Sequence, residues 1–174
     1  TMVSSIVEEI RKENPAFDIT KINYQDPKVY ELFAKGKTEG IFQFESSGMK
    51  EKLNLLKPTE FNDIVAMNAL YRPGPMAQIE VYVRRKNKEE QVIYPHPHLE
   101  KILKDTYGVI VYQEQIMLIA VNFAHMSLNE ADNMRRAVSK KKKEDLEYYG
   151  RIFVEKSVAA GYDIKVAGNL FDLI

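Results

Sequence analysis

The sequence predicts a mainly α protein, a multi-helix domain interrupted by one or two short β-strands. Three observations carry that prediction. Apolar residues recur at helical spacing through most of the chain, helix start and stop signals bracket those stretches, and only two short segments read as strand. The segments are the front of "EGIFQFESSGMK" and residues 109–112.

Taken in order, "TMVSSIVEEIRKEN" places Met2, Val3, Ile6, Val7 and Ile10 at helical spacing, and Pro15 closes it. "DPKVYELFAKG" has Asp26 as N-cap, Pro27 at the first helical position and Gly36 after the last turn. Ser46 or Ser47 can cap the helix after the first strand-like stretch, and Lys57-Pro58 ends it near Leu56. Residues 59–70 read as a helix with Phe61, Ile64, Val65, Asn68 and Ala69 along one side, stopped by Pro73-Gly74-Pro75. A weaker helix follows that elbow, and then "VIYPHPHLEKILKD", two prolines ahead of an amphipathic turn or two. Residues 109–112 read as strand and pass directly into a helix that is apolar nearly all round over 116–124, hence buried. Ser127 and Glu130 form a capping box, and Leu128, Ala131, Met134 and Val138 give the next helix its apolar stripe. Two helices, roughly 144–160 and 163–174, finish the chain. An opening inside a helix and a last helix without a stop signal read as a fragment of a longer chain.

The chain has 174 residues, about one domain, with 25 basic and 25 acidic side chains and a formal net charge of zero. Any nucleic-acid or membrane partner must therefore be met by local patches. With no cysteine and three histidines, disulfides, thiol chemistry and a histidine metal site are excluded or disfavoured, and His96 and His98 read as loop residues. No apolar run approaches the ~20 residues that span a bilayer, so the expectation is a cytoplasmic protein.

Gly36-Lys37-Thr38 ends like a phosphate-binding P-loop, but that loop needs glycine where Glu31 stands, and a helix precedes it. Gly36 reads instead as a helix cap. "MRRAVSKKKKEDL" is the stronger anion candidate. On a helix continued to about residue 143, Arg136, Lys140 and Lys143 share one face and Arg135 and Lys142 a neighbouring one. Such like charges repel by a few tenths of a kcal/mol per pair and gain most from an anion opposite. The same pattern also fits a solvated face neutralised by Glu144, Asp145 and Glu147. A second basic run, Arg84, Arg85, Lys86 and Lys88, follows the elbow, where Tyr71 and Arg72 pair an aromatic plane with a guanidinium suited to a base and a phosphate. Arg72 could equally bind the last carbonyls of its helix. "YQEQ", residues 112–115, sets polar groups between apolar segments, so these are hydrogen-bonded or line a cleft.

Four blocks in order, "GIFQFESSGMK", "FNDIVAMNALYRPGPM", "YGVIVYQEQIMLIA" and "NMRRAVSKKKKEDL", resemble the bacterial C-family replicative DNA polymerases, the DNA polymerase III alpha subunits, and the DnaE-type branch more than the PolC-type. The resemblance implies the end of the palm with connecting helices over residues 1–40 and a fingers domain, incomplete at its C-terminus, over 41–174. It implies that Arg135 and Arg136, with Lys140, lie by the triphosphate of the incoming dNTP. Tyr71, Arg72, Gln113 and Glu114, with Lys141 and Lys142, would shape the base-pair pocket or meet template. The family's three metal-binding palm aspartates have no counterpart here; Asp18, Asp26 and Asp63 lie outside any matching motif. The isolated chain is accordingly expected to bind no cofactor and to be inactive, with Mg2+ in the full-length enzyme. Template-primer DNA, dNTP and, through other regions, holoenzyme subunits such as the sliding clamp are the implied partners. Family members usually have glycine where this chain has Ser139, which bears on the local backbone. The rival reading is a non-enzymatic helical module that binds DNA or protein through its two basic runs.

Overall fold

In the computed structural model, which describes residues 1–174, ten α-helices are joined by turns and short 3-10 segments. α1 (Met2–Glu13) is capped by the Thr1 hydroxyl, which accepts the Ser4 amide, and buries only Val7. Met2, Val3, Ile6 and Ile10 remain exposed on it. α2 (Pro27–Ala34) starts as its sequence signals require, with Asp26 accepting the Lys28 amide. At its end Gly36 adopts φ 61°, the Gly36 amide donates to Phe33 and the Lys37 amide to Leu32. These two bonds satisfy carbonyls that the helix end would otherwise orphan. Thr38 is fully buried, with its hydroxyl donated to the Phe44 carbonyl. Gly36 to Thr38 are thus a helix stop and a buried turn.

α3 (Ser47–Leu56) is capped by Ser46 and stopped by Lys57 in the left-handed region ahead of Pro58. α4 (Phe61–Leu70) and α5 (Ile79–Lys86) flank the Pro-Gly-Pro elbow and its 3-10 turn, Pro75–Gln78. Phe33, Phe44, Met49, Leu53, Met67, Leu70 and Tyr82 from these segments form the first core. A second core joins α6 (Glu100–Leu103), α7 (Gln113–Asn122), α8 (Leu128–Lys140), α9 (Lys143–Ala159) and α10 (Ile164–Asp172). Leu103, Ile119, Phe123, Met134, Phe153 and Leu170 meet there. Phe123 stacks on Tyr162 with centroids 3.8 Å apart, His96 meets both rings edge-on, and His98 Nδ1 lies 2.6 Å from the Tyr162 hydroxyl. The two histidines of the proline-rich loop therefore close the second core, and burial, with His98 adding to it, lowers the pKa of His96.

Neither expected strand forms. In the first, the Ile41 amide donates to Thr38 and the Phe44 amide to Ile41, so the backbone closes on itself in turns, with Gln43 at φ 68°. Over 109–112, the Val111 and Tyr112 amides both donate to Gln115 Oε1, at 2.8 and 2.9 Å, and Val109 O accepts the Thr106 hydroxyl. A strand needs a neighbouring backbone ladder; here a glutamine side chain takes the partner's place. α7 accordingly begins at Gln113, three residues before the expected apolar stretch, and leaves Leu118 exposed.

Two expected faces also move. α4 buries Asp63, Ile64, Ala66, Met67 and Leu70, while Phe61 and Val65 are exposed. On α8, Ala137 takes the buried place assigned to Leu128, which is 72% exposed in the first turn. No helix is long and apolar enough to cross a membrane.

Candidate functional site

α8 carries most of the basic cluster, and its orientation is fixed from both sides. At its start Ser127 and Glu130 exchange bonds, the Ser127 amide and hydroxyl each donating to Glu130 Oε2 at 2.8 Å. Lys156 of α9 adds a third bond to the same oxygen at 2.9 Å. The Lys156 ammonium, followed by the Ser127 donors, pulls the Glu130 pKa down to about 2. Ala131, Met134 and Ala137 face the core, which turns Asp132, Arg135, Arg136 and Ser139 outward.

Those four residues and Gln113, the first residue of α7, form one network. Arg135 donates from Nε and Nη2 to Asp132 Oδ1 at 3.0 and 2.7 Å, and from Nη1 to Gln113 Oε1 at 2.7 Å. Gln113 Nε2 donates to the Ser139 hydroxyl at 3.1 Å, which in turn donates to the Arg135 carbonyl at 2.9 Å. Arg136 Nη2 lies 2.6 Å from Asp132 Oδ2. The Arg135 fork, followed by Arg136, lowers the Asp132 pKa. Ser139 sits inside a regular helix and ties α8 to α7.

The helix does not run to residue 143. Lys141 caps it in the left-handed region, with φ 51°, and donates its amide to Ala137 and Val138. Lys142 turns extended and precedes α9, so Lys143 opens a new helix and leaves the face that Arg136 and Lys140 share. Lys140, Lys141 and Lys142 are exposed and make no ion pair; Lys143 reaches Glu147 at 3.9 Å. Glu144 and Asp145, expected as neutralisers of the lysines, stand instead in the first turn of α9, where negative charge suits the helix dipole. The Pro-Gly-Pro elbow comes up to this cluster: a Cβ on Gly74, whose φ is 108°, would lie 3.7 Å from Lys141 Nζ.

Arg72 is exposed at the elbow and its guanidinium makes no hydrogen bond to the chain, so it does not cap its helix, whose C-cap is Tyr71. The Tyr71 ring packs against the first core, and its hydroxyl fills the space a side chain at Gly48 would need. Tyr71 is therefore partly buried, with its hydroxyl end turned into the first core. Glu114 is exposed in the first turn of α7 beside Gln113. Gln115, the remaining polar residue of that motif, is buried and satisfied by the two amides above and by donating to Ile102 O and the Thr106 hydroxyl.

The second basic run does not join this site. Arg84 and Arg85 both bind Glu90, at 3.0 and 2.9 Å, and Arg85 also donates to the carbonyls of Ile93 and Tyr107. These arginines, Arg85 ahead of Arg84, hold the Glu90 pKa down. Lys86 is buried against Asp63 and the carbonyls of Leu56 and Lys57. Three of the run's four charges are thus tied within the chain, and only Lys88 is exposed without an ion-pair partner. Sequence reasoning also missed Asp132, although an aspartate one turn before paired arginines carries the signal. No three histidine, aspartate or glutamate side chains converge as metal ligands.

The order of motifs on this geometry is matched by a family model, the bacterial DNA polymerase III alpha subunit finger domain, over residues 1–161. The chain belongs to that family. The DNA polymerase III subunit alpha of Bacillus subtilis (strain 168) is 52% identical over 100% of this chain, and that of Staphylococcus aureus (strain COL) is 48% identical over the same span. The chain spans 16% of the length of each of these relatives. Within this finger-domain family, the outward face of α8, the start of α7 and the elbow after α4 form the candidate site.

Proposed function

We propose that this chain is the nucleotide-handling fingers region of a replicative DNA-directed DNA polymerase, and that Arg135, Arg136 and Lys140 meet the triphosphate of the incoming dNTP. One observation carries the reading. Arg84, Arg85 and Lys86 are held by Glu90, Asp63 and backbone carbonyls, whereas residues 140–142 are exposed without an ion-pair partner and Arg136, paired with Asp132 alone, keeps its side chain 60% exposed. A guanidinium fork and neighbouring ammonium groups suit a polyphosphate, whose transfer depends mainly on positioning and charge neutralisation. Lys141, whose ammonium comes up to the elbow at Gly74, would meet template with Lys142, and Tyr71, Arg72, Gln113 and Glu114 would shape the base-pair pocket. In this reading residues 1–40 lead out of the palm and 41–174 form the fingers. The carboxylates that hold Mg2+ belong to other parts of the polymerase, so this chain alone is inactive. Its setting is cytoplasmic, beside the other holoenzyme subunits.

Arg136→Ala in the full-length subunit tests this. Losing a charge-assisted contact worth about 1.5–3 kcal/mol lowers kcat/KM for dNTP by roughly 10- to 100-fold. Unchanged dNTP kinetics would refute the reading.

A further inference from the structure

We propose that Asp132 is a positioning residue that holds Arg135 and Arg136 side by side so that one anionic group can engage them; this rests on the dNTP reading above. Neighbouring residues on a helix point about 100° apart, and two adjacent guanidinium groups repel. A single carboxylate one turn earlier overcomes both effects, with Oδ1 taking the Arg135 fork and Oδ2 taking Arg136. The two guanidinium groups are therefore both anchored on one carboxylate without a ligand.

The division of labour follows from what else each arginine touches. Arg135 is held on its far side by Gln113, itself oriented by Ser139, and is 25% exposed. Arg136 has Asp132 as its protein partner and is 60% exposed, leaving most of its five N–H donors free. Arg135 thus fixes the carboxylate and adds charge, while Arg136 is presented outward from a fixed base. A ligand meeting groups already in place loses less side-chain freedom on binding than one that must order them. The opposite role, a carboxylate that competes with phosphate for the arginines, predicts the opposite sign in KM.

The test compares wild type, D132N, D132E, R136A and D132N/R136A in the full-length subunit, reading dNTP KM and kcat separately. D132N raises the dNTP KM about 5- to 20-fold with a smaller change in kcat, as loss of a preorganised binding group requires. D132E, which keeps the carboxylate, recovers most of that rise, and D132N costs less on the R136A background than on wild type. An unchanged or lowered KM in D132N while R136A raises it overturns the positioning role and leaves the dNTP reading standing. No effect of R136A overturns both. Should D132N also melt well below wild type, D132E decides: a KM as high as that of D132N overturns the proposal, and a KM near wild type supports it.

Discussion

Lys86→Met separates a structural basic run from a ligand-binding one. The Lys86 side chain is 7% exposed and Asp63 is fully buried, with Nζ 3.3 Å from Oδ2. The same ammonium donates to Leu56 O at 3.3 Å and Lys57 O at 2.8 Å, so it ties α5 to the C-terminal end of α3 and to the start of α4. Asp63 Oδ2 also accepts the Thr59 and Glu60 amides, at 2.8 and 3.3 Å, while Oδ1 has no partner in the chain. Methionine keeps the length of the side chain and removes the charge, leaving a buried carboxylate opposite a thioether. Breaking a buried pair by deleting one partner costs about 3–5 kcal/mol. For a chain of this size each kcal/mol moves Tm by about 2–4 °C, so Tm falls by roughly 6–20 °C. Thermal unfolding followed by far-UV circular dichroism measures it, and D63N/K86M, which removes both charges, recovers a large part of the loss. A K86M chain that melts with wild type and instead loses affinity for primer-template DNA would refute the assignment of this run to internal ties.

Gln115→Leu leaves the Val111 and Tyr112 amides without their acceptor; at roughly 1–2 kcal/mol for each orphaned group it destabilises by about 2–4 kcal/mol. Hydrogen exchange at those two amides then accelerates ahead of the rest of α7, and unchanged protection there would contradict the role given to Gln115. Glu130, whose pKa falls from 4.5 to about 2 on folding, contributes stability that is present above pH 4.5 and lost as pH drops toward 2. The stability advantage of wild type over E130Q therefore narrows across that window in acid titrations of Tm, and a constant difference would contradict the Lys156–Glu130–Ser127 arrangement.

Much of the helical framework was legible because its signals are local. Asp26, Pro27 and Gly36 bracket α2, and Ser127 with Glu130 starts α8, each through side-chain or backbone bonds made within a turn of the residue concerned. The end of α8 was not legible in the same way. Neither glycine nor proline marks the stop inside "SKKKKED", and a lysine in the left-handed region gives no pattern to read. The two strand readings failed because a short apolar run is extended only relative to a partner, and here the partners are turn carbonyls and Gln115.

The candidate site divides along the same line. The sequence by itself determined that Arg135 and Arg136 sit on α8 and, through the order of its motifs, which family the chain belongs to. The tertiary structure decided which charges are free. Glu90 lies five and six residues from Arg85 and Arg84, and the carbonyls and carboxylate that hold Lys86 belong to segments 23 to 30 residues away. Gln113 reaches Arg135 across 22 residues because α7 packs on α8. Which charges are tied to internal partners, which share a neighbouring carboxylate and stay exposed, and which have no partner depends on distances between side chains that sequence separation does not encode.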